Sequence, residues 1–166
     1  MSHLLIYSVL IQFVFSAHVL QTLQARLPAG NYQIQVEGTD CFFCAEQDQY
    51  GGLNLNYSSR DREQIRLIYN DGDDEGTVSL YLPNKNRYIG FGDYCVHLFG
   101  QYELAKAKFW MHQVGVASSD GPVVVYLRNT KYGVFFHTKQ VHDPKGLINS
   151  EKGQSNVLQL CFKPTT

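Results

Sequence analysis

The sequence predicts an all-β protein in which three similar units form one domain. The main observation is an internal repeat, because GTVSLYLPNKNRYIGF at Gly76–Phe91 returns as GPVVVYLRNTKYGVFF at Gly121–Phe136. With a single-residue gap, the copies share the opening glycine, a Tyr-Leu pair and the asparagines Asn84 and Asn129. The two copies start 45 residues apart, and a fainter copy, GNYQIQVEG, opens at Gly30. Repeats of this period indicate supersecondary units that bury their apolar faces together.

Composition limits the size and class of the protein. The 166 residues are 44% hydrophobic and 13% aromatic, which suffices for one compact core but not for two full-sized domains. The formal net charge of -1 and the 17% of charged residues exclude the strongly basic surface of a nucleic-acid binder. We therefore expect no nucleic-acid partner.

The N-terminus predicts a secretory signal peptide over residues 1–17. Leu4–Phe15 is apolar apart from Ser8 and Gln12, and it is shorter than the roughly 20 residues that span a bilayer. Cleavage after Ser16 or Ala17 leaves an N-terminal extension over 18–29 and the repeat domain over 30–166. The alternative is a buried N-terminal strand. A secreted, extracellular protein without a membrane span is expected.

Alternating polar and apolar residues predict twelve short strands, four in each unit. A helical turn or an ordinary turn is expected over Tyr102–Lys108. The strands are predicted at Tyr32–Val36, Cys41–Ala45, Leu53–Tyr57 and Gln64–Tyr69, then Thr77–Leu82, Tyr88–Phe91, Cys95–Phe99 and Lys108–Gln113, then Val123–Arg128, Gly133–Thr138, Gly146–Ile148 and Val157–Phe162. The predicted core consists of Val78, Leu80, Leu82, Val123, Val125, Leu127, Ile65, Leu67, Phe109, Met111, Leu158 and Leu160.

Four cysteines, Cys41, Cys44, Cys95 and Cys161, suggest two disulfides in a secreted chain, with three possible connectivities. Cys41 and Cys44 also have the CxxC spacing of a redox or zinc half-site. No second CxxC or paired histidine completes a zinc set, and no βαβ pattern supports a redox motif. Buried free thiols are the remaining alternative.

Two further motifs have functional interpretations, a glycosylation sequon and an acidic linker. Asn56-Tyr57-Ser58 is an N-glycosylation sequon, so Asn56 is a candidate glycan acceptor. The linker NDGDDEG over Asn70–Gly76 resembles the start of a calcium-binding EF-hand loop. Counted from Asp71, the twelfth position is Leu82, where such a loop needs a glutamate. A surface turn is therefore expected.

Three four-stranded units of this length resemble the β-trefoil fold, and the resemblance covers Gly30–Pro164. The Tyr-Leu-x-Asn pattern followed by Arg-Tyr or Lys-Tyr is similar to trefoil repeats of fascin-like, fibroblast-growth-factor-like and interleukin-1-like proteins. The first unit lacks this pattern and carries the CxxC instead. The resemblance implies a six-stranded barrel capped by hairpins, in which closure removes exposed sheet edges.

The motifs of common enzymes and of ricin-type lectins are missing. The sequence has no Gly-x-Ser-x-Gly, no His-Glu-x-x-His and no phosphate-binding glycine loop. Ricin-type repeats carry a Gln-x-Trp in each unit, whereas this chain has a single tryptophan, Trp110. We expect a protein that is not an enzyme and needs no cofactor or metal.

Binding is the expected activity, and aromatic and cationic loop residues are its candidate carriers. A loosely basic stretch around the third hairpin is a candidate contact for an anionic glycan. The candidate binding residues are Tyr50, Tyr94, Tyr102, Lys131, His137, Lys139 and His142. The first functional hypothesis is a cytokine-like or growth-factor-like ligand for a cell-surface or extracellular protein. A carbohydrate-binding lectin is the alternative, and a protease inhibitor the third class.

Overall fold

The computed structural model describes residues 27–92, 96–114, 123–137, 145–151 and 157–165, with the backbone alone at 101–102, 145–147 and 149–151. Several sequence-based predictions fall outside these residues. They are the signal peptide, the candidate binding residues Tyr94, Lys139 and His142, and Cys95.

Thirteen strands are described, against twelve predicted. They are β1 Gly30–Val36, β2 Phe42–Gln47, β3 Leu53–Ser58, β4 Ile65–Tyr69, β5 Thr77–Leu82, β6 Arg87–Phe91, β7 Val96–Phe99, β8 Phe109–Gln113, β9 Val124–Asn129, β10 Phe135–His137, β11 Lys145–Leu147, β12 Asn149–Glu151 and β13 Leu160–Pro164. The extra strand arises in the third unit, where one predicted strand is replaced by β11 and β12. Short 3₁₀ helices cover Gly72–Asp74 and Gln101–Lys106, the second at the predicted turn.

Six strands close into a barrel. The antiparallel pairs run from β1 to β4, β5, β8, β9 and β13, and β13 pairs with β1 again. Each unit contributes its first and last strand, as the resemblance implied. Because the barrel is closed, each of these six strands pairs with a neighbouring strand on both sides.

The remaining strands form hairpins that cap one end of the barrel. They pair as β2 with β3, β6 with β7 and β10 with β12. The hairpins also contact each other, because Asn54 of β3 is paired with His97 of β7 and β11 pairs with β3. A closed six-stranded barrel with three capping hairpins is the β-trefoil fold.

The core fills the barrel and its capped end. Phe136 lies at the centre, with ring centroids 5.8 Å from Phe43 and 4.9 Å from Phe91, so the three units meet there. Of the predicted core residues, all are buried except Val123 and Met111, which are partly exposed but pack against the core. The predicted alternation of apolar residues in the barrel strands is confirmed.

The acidic linker between the first two units contains the 3₁₀ helix Gly72–Asp74. Asp74 pairs with the ammonium group of Lys108, which ties the linker to the start of β8.

In the part of the chain that the structure describes, no helix combines the length and apolarity needed to cross a membrane.

Candidate functional site

The outer side of β8, β9 and β10 carries an unusual concentration of aromatic and cationic side chains. In the antiparallel register, Trp110 is opposite Arg128, and His112 is opposite Tyr126. Arg128 is in turn opposite Phe135 of β10. Because paired residues share a face of a sheet, these five side chains lie together, and we call them the aromatic–cationic face.

The rings of His112, Tyr126 and Phe135 are in contact. His112 stacks on Tyr126 with ring centroids 4.8 Å apart and planes 16° apart. Tyr126 meets Phe135 at 5.7 Å, and the guanidinium carbon of Arg128 lies 5.8 Å from the centre of the Phe135 ring. Phe135 is buried, and the more exposed side chains of Tyr126 and Arg128 pack against it.

Trp110 is the most exposed aromatic residue of the face, with 43% of its surface accessible. Its indole packs over Gly76, where a Cβ atom would come within 3.3 Å of Cζ3 of the indole ring. Gly76 has a φ of +86°, a conformation that glycine adopts without strain. Because Gly76 has no Cβ atom, it leaves space for the exposed indole of Trp110 to pack against its backbone.

The turn after β9 is fixed by the buried side chain of Asn129. Its carboxamide nitrogen donates to the backbone carbonyls of Lys106 and Lys108, at 2.9 and 3.1 Å. Its oxygen accepts from the backbone N–H groups of Lys131 and Tyr132 at 3.1 and 3.0 Å. The two loop residues Lys131 and Tyr132 are exposed, and the ammonium nitrogen of Lys131 lies 5.3 Å from the centre of the Tyr132 ring.

The electrostatics of the face are set by Arg128. None of the ion pairs among the described residues involves it, and its Nε donates to the carbonyl of Gly133 at 3.4 Å. Burial and, secondarily, the nearby positive charge of Arg128 lower the pKa of His112. The imidazole is therefore neutral at pH 7, and Arg128 supplies the positive charge beside the rings.

The candidate binding residues that the structure describes lie on different elements. Tyr50 is 88% exposed at the β2–β3 turn, and Lys131 is exposed at the β9–β10 turn. Tyr102 lies in the 3₁₀ helix Gln101–Lys106, and its side chain is outside the described residues. His137 is only 3% exposed, which argues against a place on a binding surface, and this role stays a prediction. His137 lies in β10, which pairs with β12 at Asn149 and forms a bridge to Val157.

Three of the four cysteines are described, and all three are buried. No disulfide joins Cys41, Cys44 or Cys161 to one another within the described part of the chain. Two disulfides would use all four cysteines. Whichever of these three cysteines bonded to Cys95, the other two would have to be joined to each other. The prediction of two disulfides is therefore not met here. Burial raises the pKa of the Cys161 thiol, as does the carboxylate of Glu37, while Lys163 partly opposes the shift.

The sequon residue Asn56 is also buried, with 8% of its surface accessible. It lies in β3 between Cys44 of β2 and Leu147 of β11. Its carboxamide nitrogen, the atom that would carry a glycan, donates to the carboxylate of Glu46. This position argues against glycosylation, which stays a prediction.

Most of the aromatic–cationic face lies on strands and not in the loops where the sequence predicts binding residues. Trp110, His112, Tyr126 and Arg128 all stand on β8 or β9. The available signal was the alternation in FWMHQ and VVYLRN, where Trp110 and His112 take alternate positions of one strand and Tyr126 and Arg128 take alternate positions of the next. In a barrel strand, that set faces outward.

Comparison with known proteins identifies the fold. No protein-family model matches the sequence, and no curated protein matches it as a relative. Among solved structures, BEL β-trefoil is 9% identical, with 85% of this chain and 98% of that chain covered and a TM-score of 0.65. SeviL, in a structure bound to the asialo-GM1 saccharide, is 12% identical over 84% and 100% of the chains, with a TM-score of 0.60. A proteinase inhibitor from Coprinopsis cinerea is 10% identical over 84% and 100%, with a TM-score of 0.63.

At these identities the similarities concern the fold. They confirm the β-trefoil architecture predicted from the three repeats, and they assign no family within it. The same fold carries unrelated functions, so the function has to be argued from the site.

Proposed function

We propose that the protein is a secreted binding protein that contacts an extracellular or cell-surface protein through the aromatic–cationic face. The observation that carries this proposal is the exposed indole of Trp110 beside Arg128 and the stacked pair His112–Tyr126. Tryptophan, tyrosine and arginine are enriched among the residues that dominate the binding energy of protein interfaces, and the two aromatic side chains bury large areas at small cost in side-chain entropy.

The support of this face also favours binding. Its side chains stand on regular strands of a closed barrel, and Asn129 fixes the adjoining turn through four hydrogen bonds. A surface that is already ordered loses little conformational freedom when a partner binds, and this raises affinity. We propose a cytokine-like or growth-factor-like ligand that acts by recognition and not by catalysis.

A lectin is the second candidate, and the exposed indole favours it as well, since a flat aromatic ring can stack on the apolar face of a sugar. The structural similarity to SeviL, whose structure contains a saccharide, is compatible with this alternative. The similarity to the Coprinopsis cinerea inhibitor keeps a protease inhibitor as the third class. Both likenesses rest on the fold alone.

The test is affinity purification with the secreted protein as bait, followed by mass spectrometry of the retained proteins. Trp110→Ala and Arg128→Ala should each reduce retention of a specific partner at least about tenfold, the loss typical of a hot-spot residue. Tyr50→Ala, at an exposed turn of the first unit, is the matched control and should leave retention unchanged. Circular dichroism would confirm that every variant is folded.

Three outcomes would contradict the proposal. Retention that survives Trp110→Ala but fails with Tyr50→Ala would move the interface to the loop tyrosines. Saturable binding on a glycan array, with no protein retained, would favour the lectin. Inhibition of a serine or cysteine protease that depends on neither Trp110 nor Arg128 would favour the third class.

A further inference from the structure

A separate polar cluster lies on the capping hairpin β2–β3. Along β3, Leu55 and Tyr57 point into the core, so Asn54 and Asn56 lie together on the opposite face. Glu46 of β2 is directly opposite Asn54, and Asp48 lies just beyond the end of β2. Two carboxylates and two carboxamides are thus held on one side of a short hairpin.

The carboxamide nitrogens are both engaged by the carboxylates. Nδ2 of Asn54 donates to Oδ2 of Asp48 at 3.3 Å, and Nδ2 of Asn56 donates to Oε2 of Glu46. The other carboxylate oxygen of Asp48 accepts from the backbone N–H groups of Tyr50 and Gly52, at 2.9 and 2.8 Å. The turn therefore fixes the position of the Asp48 carboxylate.

The carboxamide oxygens of the same two residues have no such partner. Among the described residues, Oδ1 of Asn54 and Oδ1 of Asn56 meet no hydrogen-bond donor, although both atoms are shielded from solvent. Asn56 as a whole is only 8% exposed. An unsatisfied buried carbonyl oxygen is costly, because it loses its bond to water without gaining another. Two such oxygens, at alternate positions on one face of β3, indicate that the cluster accommodates an electropositive group.

The enclosure of the two oxygens limits the size of that group. A sugar ring or a peptide side chain cannot reach atoms that have almost no accessible surface. A water molecule or a metal ion can be enclosed. The carboxylates of Glu46 and Asp48 favour the ion, because two nearby negative charges stabilise a cation far more than a neutral water.

We propose that Glu46, Asp48, Asn54 and Asn56 form a calcium site on the β2–β3 hairpin. Calcium binds carboxylate and carboxamide oxygens in flexible arrangements of six to eight ligands, completed by water or backbone carbonyls. Zinc prefers histidine and cysteine, and none of the four residues is of these types. No group of three or more His, Cys, Asp or Glu that could hold a metal occurs among the described residues, so a site here depends on the two carboxamides as well as on the carboxylates. Two carboxylates predict weak affinity, with a dissociation constant of about 0.1–1 mM, as in extracellular modules.

The site is independent of the aromatic–cationic face. It lies on the first unit, and its ligands come from one hairpin and the turn that joins its strands. Calcium bound there stabilises the native protein, because the unfolded chain does not hold the four side chains together. A calcium-dependent rise in melting temperature is therefore the direct readout, and it does not require a known partner.

The experiment uses the secreted protein after treatment with EDTA, with calcium chloride added up to about 10 mM, an excess over the expected dissociation constant. The melting temperature should rise saturably with calcium, and terbium should give luminescence sensitised by nearby tyrosines that calcium displaces. Glu46→Gln should weaken calcium affinity about tenfold or more, since it removes a charged ligand. The substituted amide still offers Asn56 an acceptor oxygen, so the metal-free melting temperature should stay close to that of the wild type.

The matched control is Asp73→Asn in the acidic linker, the other candidate for calcium in this chain. It removes one carboxylate in the same way and should leave the calcium response unchanged. Magnesium at the same concentration should have little effect, because it needs a rigid octahedral set. The proposal is overturned if calcium does not change the melting temperature, which would leave enclosed water as the partner of the two oxygens. An equal response in Glu46→Gln, or a response abolished by Asp73→Asn, would also overturn it.

Discussion

The side chain of Asn129 donates a hydrogen bond to the backbone carbonyl of Lys106 at 2.9 Å, across the boundary between the second and third units. Asn129 is 1% exposed and makes three further bonds, to the backbone of Lys108, Lys131 and Tyr132. One carboxamide thus joins the end of a 3₁₀ helix, the start of β8 and the β9–β10 turn. The turn beside the aromatic–cationic face depends on it.

Asn129→Ala should lower the free energy of unfolding by about 2–5 kcal/mol, because it removes four hydrogen bonds that contribute about 0.5–1.5 kcal/mol each. Urea denaturation followed by circular dichroism would measure the change. Asn84→Ala is the matched control, since Asn84 occupies the equivalent place in the sequence repeat but is exposed. Equal losses in the two variants would contradict the role assigned to Asn129.

Leu127→Ala should destabilise the protein by about 2–5 kcal/mol, the usual loss for a packed core leucine that leaves a cavity. Leu127 is fully buried in β9. Val124→Ala on the same strand is the control, because Val124 is partly exposed and should lose less. A change of only a few tenths in Leu127→Ala would show that this strand face is not packed as described.

Gly76→Ala should destabilise the protein and disturb Trp110. The φ of +86° costs a non-glycine residue about 1–2 kcal/mol, and the new methyl group would press on the indole. Gly72→Ala separates the two effects, since Gly72 has a φ of +66° but open space around its Cα. Trp110 is the single tryptophan, so its fluorescence should shift only in Gly76→Ala. A similar shift in both variants would contradict the packing of the indole on Gly76.

His112 should make the protein less stable in mild acid. Its pKa is lowered in the folded state by burial and by Arg128, so the unfolded state binds the proton more readily. Stability is therefore complete above the unfolded value of about 6.5 and falls as the pH drops through the folded pKa. Thermal melting between pH 7 and pH 5 would measure this loss of stability, and His112→Gln should make the loss smaller. Arg128→Met should also make it smaller. An unchanged dependence of melting temperature on pH in both variants would contradict the assignment.

Cys161 should react slowly with iodoacetamide in the native protein, because its thiol is buried and its pKa is raised. After unfolding without a reductant, it should be alkylated within minutes, and peptide mass mapping would identify the labelled residue. Failure to label unfolded Cys161 unless a reductant is added would reveal a disulfide. Mapping the partner of Cys161 and labelling the other cysteines in the same way would then show whether the predicted second disulfide exists.

The fold was more predictable from the sequence than the site. Leu80 and Leu82 alternate with polar or amphipathic residues, and such alternation specifies which side of a strand is buried whatever its partners. Binding surfaces have no comparable rule. The outward positions of Trp110 and Arg128 follow from the same alternation, but their pairing across the sheet depends on the register between β8 and β9. The burial of His137 in β10 likewise depends on tertiary contacts and not on its local sequence.

By itself, the sequence determined the number of units, the approximate strands and the inward-facing residues, because these depend on local periodicity and on a repeat visible within the chain. Only the tertiary structure decided which outward-facing residues meet. Asn84 and Asn129 occupy matching places in the repeat, yet one is exposed and the other is buried with four hydrogen bonds. The physical reason is that burial and hydrogen bonding depend on neighbours distant in sequence. Asn129 meets the carbonyls of Lys106 and Lys108 only after the barrel has closed.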